Sequence, residues 1–133
     1  MEELKQKKLI LQDIESEEDI KTLVHTFYTY VQKDERLGYI FNDFAKTDWD
    51  NHLPKMVDFW SNILFRTGRY KGRPFRQHLP LPLKLNDFER WVALFFNTVD
   101  LLFKGPRADQ AKQMAYNIAT SFASRMELIA KES

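Results

Sequence analysis

The spacing of apolar residues constrains this chain most, because it is helical along most of the sequence. Four segments carry apolar side chains at intervals of three and four residues, which is the period of an amphipathic helix. They predict helices near residues 17–34, 52–65, 86–104 and 107–131. No strand-like alternation continues for more than a few residues. The sequence therefore predicts an all-α fold.

Local signals predict where these helices begin. Ser16, followed by three acidic residues, is typical of a helix N-terminus. Asn86, with Glu89 three residues later, resembles a capping box. If Asn51 caps the second helix, Pro54 is its third residue, where the missing N–H of proline costs nothing.

Residues 67–85 interrupt the helical pattern. This segment has no helical period, and its glycines and prolines are Gly68, Gly72, Pro74, Pro80 and Pro82. An irregular segment of about twenty residues is uncommon inside a small domain and is usually functional. We therefore expect a functional loop between the second and third helices.

Composition excludes several classes of protein. The length of 133 residues predicts one domain spanning residues 1–133, and the net charge of +1 gives no basic surplus for nucleic acid. The absence of cysteine excludes disulfides, a thiolate nucleophile and Cys-ligated zinc or iron–sulfur sites. The longest apolar run, residues 91–96, is far shorter than the ~20 residues that span a membrane. The N-terminus lacks the apolar centre of a signal peptide, so we expect a cytoplasmic protein with neither nucleic-acid nor membrane partners.

Aromatic residues are abundant, at 14% of the chain. They pack a dense core or form the walls of a site for a large flat ligand. Composition alone favours the core.

The three histidines differ in their surroundings. His25 lies beside the apolar stripe of the first helix and is expected to be exposed, whereas His52 shares a helix face with Met56. His78 lies in the proline-rich segment, and a histidine in a loop is more often structural or exposed than a ligand. The wide separation of the three argues against zinc. A porphyrin iron needs only one strong protein ligand, and a proline-braced loop suits that ligand.

Several short segments together resemble a known family. They are Phe27-Tyr28, Leu37-Gly-Tyr-Ile-Phe41, Trp49 with His52-Leu53, Met56 with Phe59-Trp60, Gly68 to His78, and Phe88 with Trp91, Leu94-Phe95 and Thr98-Val99. In this order and spacing they resemble the group III truncated haemoglobins over roughly residues 12–130. The resemblance implies a globin-like, two-over-two helical sandwich around haem b, with a long irregular proximal loop.

The resemblance also implies roles for individual residues. His78 corresponds to the proximal iron ligand, Tyr28 and Trp91 to the distal tyrosine and tryptophan, and Phe41 to the phenylalanine stacked on the haem. His52 corresponds to the distal gate, although it could instead donate a hydrogen bond or become a sixth iron ligand. The other implied haem-pocket residues are Lys55 (beside a propionate), Met56 (over the gas ligand), Trp60, Tyr70 and Phe95.

The function expected from this resemblance is binding of O2, NO and CO at a five-coordinate iron. Redox chemistry such as nitric oxide dioxygenation or peroxidase-like turnover would need an external electron donor, because the chain has no flavin or nicotinamide domain. Periodicity alone favours Tyr28 and Trp91 as core aromatics that bond to backbone carbonyls, whereas the resemblance favours them as donors to the bound gas. The rival interpretation of the whole chain is a haem-free helical module whose aromatic groove receives a partner helix.

Overall fold

The computed structural model describes residues 11–70 and 83–126, except for the side chain of residue 44. All regular structure in these two ranges is helical. The elements are α1 (Glu17–Lys33), α2 (Glu35–Gly38), a π-helix (Tyr39–Phe44), α3 (Trp49–Phe65), α4 (Leu85–Leu102) and α5 (Pro106–Arg125). None of the helices in this part of the chain is long and apolar enough to cross a membrane.

Helix α1 follows its sequence signals closely. The Ser16 hydroxyl accepts the backbone N–H of Asp19 at 3.2 Å, as expected for an N-cap. The buried side chains of α1 are Ile20, Leu23, Val24, Phe27, Tyr28 and Val31. These are the residues of the predicted stripe, so the first helix is confirmed. His25 is exposed, also as predicted.

Helix α3 begins earlier than predicted. Its first residue is Trp49 and its N-cap is Asp48, so the prediction that Asn51 caps this helix is wrong. Pro54 is therefore not at the third position but inside the helix, beyond the turn whose N–H groups lack intrahelical partners. Without an N–H, Pro54 cannot donate to the carbonyl of Asp50, and one hydrogen bond of the helix is lost.

Helix α4 is also capped differently from the prediction. Its N-cap is Lys84, and the backbone N–H of Lys84 donates to the carboxylate of Asp87 at 2.8 Å. The capping box predicted from Asn86 and Glu89 is therefore wrong, because the helix starts one residue before Asn86. Asp87, three residues after Lys84, forms the capping box instead.

The irregular segment and the last helix are described only in part. Residues 67–70 and 83–84 are not helical, as predicted, whereas α4 already starts at Leu85. Residues 71–82 lie outside the described ranges. Helix α5 ends at Arg125, and residues 127–131, predicted to continue it, also lie outside them.

The core is built around α1, which packs against both α3 and α4, while α5 packs mainly against α4. Small side chains make this second pairing close: the buried alanines of α5 are Ala108, Ala111, Ala115, Ala119 and Ala123. Asp13, which precedes α1, caps α5 by accepting the backbone N–H groups of Arg107 at 3.0 Å and Ala108 at 2.8 Å. The cap ties the start of the described chain to its last helix.

Gly38 allows the sharp junction between α1 and the following turns. A Cβ at this position would lie 2.5 Å from the carbonyl oxygen of Gln32 in α1. The missing side chain therefore permits a backbone approach that no other residue allows. Immediately afterwards the backbone forms the π-helix, which carries Phe41 and which the hydrophobic spacing does not predict.

Candidate functional site

A cavity lies between two apolar clusters of the described fold. The atom-free space between its walls, including the part open to solvent, is about 780 Å³. Its lining comes from α1, α2, the π-helix, α3, α4 and α5: Tyr28, Leu37, Phe41, His52, Met56, Phe59, Trp60, Leu83, Asp87, Phe88, Trp91, Ile118, Ala119 and Phe122. Side chains far apart in sequence therefore meet around one space.

Tyr28 and Trp91 bring two hydrogen-bonding groups to this cavity. Tyr28 is only 4% exposed, and the indole N–H of Trp91 is placed within reach of its hydroxyl oxygen. Burial raises the pKa of Tyr28 far above its ordinary value, and the hydrogen bond from Trp91 offsets only part of that rise. The hydroxyl therefore keeps its proton at any physiological pH and can act as a donor.

His52 and Trp49 complete an aromatic cluster around Tyr28. The ring centroid of Tyr28 lies 5.4 Å from that of His52 and 5.5 Å from that of Trp49, and His52 and Trp49 are 5.5 Å apart. The indole N–H of Trp49 donates to the side-chain oxygen of Asn42 at 2.9 Å, which holds the ring in place. His52 is thus placed next to the Tyr28 ring, at the first turns of α3.

Three stacked rings form the support behind the cavity. Phe95 is fully buried between Trp60, at a centroid distance of 4.8 Å, and Trp91, at 5.7 Å. The ring of Phe95 makes an interplanar angle of 20° with Trp60 and 16° with Trp91, so each tryptophan is stacked on it. Both tryptophans line the cavity, whereas Phe95 lies behind them. Phe95 therefore restricts the rotation of the two tryptophans.

A second group of described lining residues is apolar except at one edge. These residues lie around the start of α4 and on α5: Leu83, Phe88, Ile118, Ala119 and Phe122. At that edge the buried carboxylate of Asp87 lines the cavity and accepts two hydrogen bonds from the guanidinium of Arg36, at 2.9 and 3.1 Å. The guanidinium of Arg36 therefore compensates the charge of Asp87 at the edge of the cavity.

The chemistry of these groups fits a large, flat, mostly apolar ligand with a small polar reactive centre. Tyr28, Trp91 and His52 contribute the donors, and the other described lining residues apart from Asp87 are apolar or aromatic. Among the described residues, no cluster of His, Cys, Asp or Glu could hold a metal ion by itself. A metal brought in by a macrocycle that supplies most of its ligands is compatible with such a cavity.

Comparison with known proteins identifies the family of this chain. A family model described as bacterial-like globin matches residues 10–126. The chain belongs to the bacterial-like globin family. This globin is similar to the group 3 truncated hemoglobin ctb of Campylobacter jejuni, with 33% identity over 115 residues that cover 84% of this chain and 91% of that protein. It is also similar to the crystal structure of a group III truncated hemoglobin from Campylobacter jejuni, with a TM-score of 0.79 and 31% identity, covering 88% of this chain and 95% of that chain.

These matches confirm the resemblance to group III truncated haemoglobins and the all-α globin fold. The chain is a haem-binding globin, and diatomic gases are the ligands that its family implies. The rival interpretation as a haem-free interaction module is disfavoured, because the globin match covers most of the sequence.

The globin structure brings together most of the residues predicted for the haem pocket. Tyr28, Phe41, His52, Met56, Trp60 and Trp91 all line the cavity. Lys55 is exposed, and neither Lys55 nor Tyr70 is among the described lining residues. The ring of Tyr70 lies 5.1 Å from that of Phe59, which lines the cavity. His78 lies outside the described residues. The roles assigned to all these residues stay predictions.

Sequence reasoning missed two features of this site. Trp49 belongs to the quoted family segments, yet nothing in its local spacing shows that it contacts Tyr28 and His52. The sequence does not indicate that Arg36 and Asp87 pair, because the two residues lie 51 positions apart. Only the packing of α2 against α4 reveals their ion pair.

Proposed function

We propose that haem b occupies the cavity between the two apolar clusters and that this globin binds O2, NO and CO there, with His78 as the proximal ligand of a five-coordinate iron. The observation that carries the proposal is the small number of polar groups in the described lining of the cavity. They are Tyr28, His52, Trp91 and Asp87, and the remaining described lining residues are apolar or aromatic. A macrocycle in this cavity would bury its flat apolar faces and could meet the donors Tyr28, Trp91 and His52.

When bound, haem would supply an iron that His78 holds and that binds a diatomic gas. Residues 71–82 contain His78, and they join α3 to α4, two helices that line the cavity. Leu83, the first described residue after this segment, lines the cavity. This connection supports His78 rather than His25, which is exposed on α1.

Tyr28 and Trp91 determine how strongly a gas is held. O2 gains partial negative charge when haem iron holds it, so N–H and O–H donors directed at it strengthen binding and slow its release. The Tyr28 hydroxyl receives a hydrogen bond from Trp91 and keeps its own proton to donate. CO gains less charge and benefits less. We expect tight O2 binding with slow dissociation.

His52 acts as a gate in this proposal. It is half-buried at the first turns of α3, with its ring against Tyr28 and Trp49. Rotation of the imidazole would change access to the space beside Tyr28. Coordination of the iron by His52 would instead produce a low-spin bis-histidyl spectrum that His52→Ala abolishes, and that result would replace the gate with a sixth ligand.

Slow release of O2 favours chemistry on the gas over storage. One such reaction is nitric oxide dioxygenation, in which NO, O2 and one electron give nitrate (NO + O2 + e⁻ → NO3⁻). Another is peroxidase-like turnover, in which hydrogen peroxide takes up two electrons and two protons to give water (H2O2 + 2e⁻ + 2H⁺ → 2H2O). Both reactions need an external reductase, which we include in the proposal.

Absorption spectroscopy of the purified protein tests the location of the haem ligand. We expect an intense Soret band in the wild type and in His25→Ala, and its loss or strong reduction in His78→Ala. The His25 variant is the matched control, since it removes an exposed imidazole from the same chain. Equal haem content and an unchanged ferrous spectrum in His78→Ala would contradict the assignment of the proximal ligand.

A further inference from the structure

Two ion pairs of opposite polarity join the α2 region to the start of α4. Asp87 accepts the Nε–H of Arg36 on Oδ1 at 2.9 Å and its Nη2–H on Oδ2 at 3.1 Å. Asp34, the N-cap of α2, accepts the Nε–H of Arg90 in α4. The α2 region therefore contributes Asp34 and Arg36, and α4 contributes the residue of opposite charge to each pair. We call these four residues the crossed ion pairs.

Each carboxylate of the crossed ion pairs also caps its own helix. Asp87 accepts the backbone N–H of Lys84 at 2.8 Å, and Asp34 accepts that of Leu37 at 3.0 Å. Their side chains are only 4% and 8% exposed. Each carboxylate therefore binds both the first turn of its own helix and an arginine of the neighbouring helix. These shared bonds fix the first turns of α2 and α4 relative to each other.

This arrangement borders the cavity. Asp87 is itself a lining residue, and Trp91 follows it one turn later on α4, next to Arg90. On the other side, Leu37 follows Arg36 and also lines the cavity. The crossed ion pairs therefore constrain the position of the α4 turn that carries the indole of Trp91.

We propose that the crossed ion pairs position Trp91 for its hydrogen bond to Tyr28 and thereby control the rate of gas release. Arg36 and Arg90 are positioning residues here, since they act through the carboxylates they bind. The inference rests on the proposed function for the effect on gas release, but not for the effect on the indole. Hydrogen-bond geometry is sensitive to small displacements, so a looser α4 start weakens a donor that the helix carries.

The test compares Arg36→Met with Lys112→Met. The first variant removes the guanidinium that binds Asp87. The second breaks a different ion pair of α4, between Asp100 and Lys112 of α5 at 2.7 Å, and neither of these residues is among the described lining residues. Both replace a basic side chain with an unbranched apolar one. The first readout is the ¹⁵N–¹H resonance of the Trp91 indole in the CO-saturated ferrous protein, assigned with Trp91→Phe. The second readout is the O2 dissociation rate.

We expect Arg36→Met to shift the Trp91 indole resonance and to change the O2 dissociation rate by at least about threefold. Lys112→Met should alter neither. Arg36→Lys keeps the charge but not the planar fork, so it should restore the wild-type values only in part. If Arg36→Met does not fold, the neutral pair Arg36→Met with Asp87→Asn takes its place, because it leaves no unpaired buried carboxylate.

A folded variant with an unmoved Trp91 resonance and an O2 rate within about 1.5-fold of wild type would overturn the inference. Failure of the proposed function gives a different result. A protein that takes up no haem lacks an O2 rate altogether, and the indole resonance, recorded on that haem-free protein, still reports whether Arg36 positions Trp91.

Discussion

Replacing Tyr28 with phenylalanine removes one hydroxyl from the cavity and little else. The ring is 4% exposed and in edge contact with Phe27, at a centroid distance of 4.8 Å, and with His52 at 5.4 Å. A phenylalanine ring of nearly the same volume therefore has the same neighbours. Tyr28→Phe deletes a donor without opening a void, and its effect on gas binding measures the hydrogen bond itself.

The size of the effect on O2 dissociation follows from the charge on the group that accepts this hydrogen bond. A hydrogen bond to a charged acceptor contributes about 1.5–3 kcal/mol to stability. Its loss would speed O2 dissociation by about 10- to 150-fold, since each 1.36 kcal/mol is a factor of ten. CO gains less charge than O2, so CO dissociation should change less in the same variant.

Stopped-flow replacement of O2 by CO measures the dissociation rate directly. Tyr30→Phe is the matched control, because Tyr30 lies on the same helix and is 43% exposed. Trp91→Phe completes a double-mutant cycle, and we expect non-additive effects because Trp91 donates to the Tyr28 hydroxyl. An O2 dissociation rate in Tyr28→Phe within about twofold of the wild type would refute the reasoning.

Three further predictions concern the stability of the fold that surrounds the site. Gly38→Ala should lower the free energy of unfolding by about 1–3 kcal/mol in urea denaturation, because its Cβ would lie 2.5 Å from the Gln32 carbonyl oxygen; an unchanged denaturation midpoint would count against that close approach. Phe95→Ala should cost about 3–5 kcal/mol by the same assay, since the ring is fully buried between Trp60 and Trp91, and a loss below about 1 kcal/mol would show that the three-ring stack is not rigid. Burial acts to raise the pKa of Asp13, but backbone N–H donors and the Arg107 guanidinium hold it below its ordinary value of 3.8. The stability from this depressed pKa is present above about pH 4 and is lost as the pH falls through the folded-state pKa. Thermal melts should therefore show a smaller loss of stability from about pH 5 to pH 3 in Asp13→Asn than in the wild type, and equal losses would contradict the cap.

Where a helix depends on its own residues, the sequence predicted it well. The stripe of α1 and its Ser16 cap are local, because both arise from side chains within a few positions of one another. The stripe and the cap needed only spacing and residue type. The resemblance to a known family, in contrast, was needed to identify cavity-lining residues such as Tyr28, His52 and Trp91.

Helix starts were less predictable where several candidate caps compete. Asn51 and Asp48 are both good N-caps, as are Asn86 and the box formed with Asp87. The sequence offers each choice at similar local cost. The structure selects Asp48 for α3 and the Lys84–Asp87 box for α4. The Asp87 carboxylate is also the one that Arg36 binds, so a contact from another helix favours that start.

The sequence by itself therefore determined the helical class, the apolar faces and the family, because these depend on periodicity and on ordered motifs along the chain. Only the tertiary structure decided which charges pair, where α3 and α4 begin, and that a π-helix presents Phe41 to the cavity. The physical reason is distance along the chain. A bond such as that of Arg36 to Asp87 spans 51 positions, and its energy becomes available only after α2 and α4 have been brought together by burial of their apolar faces.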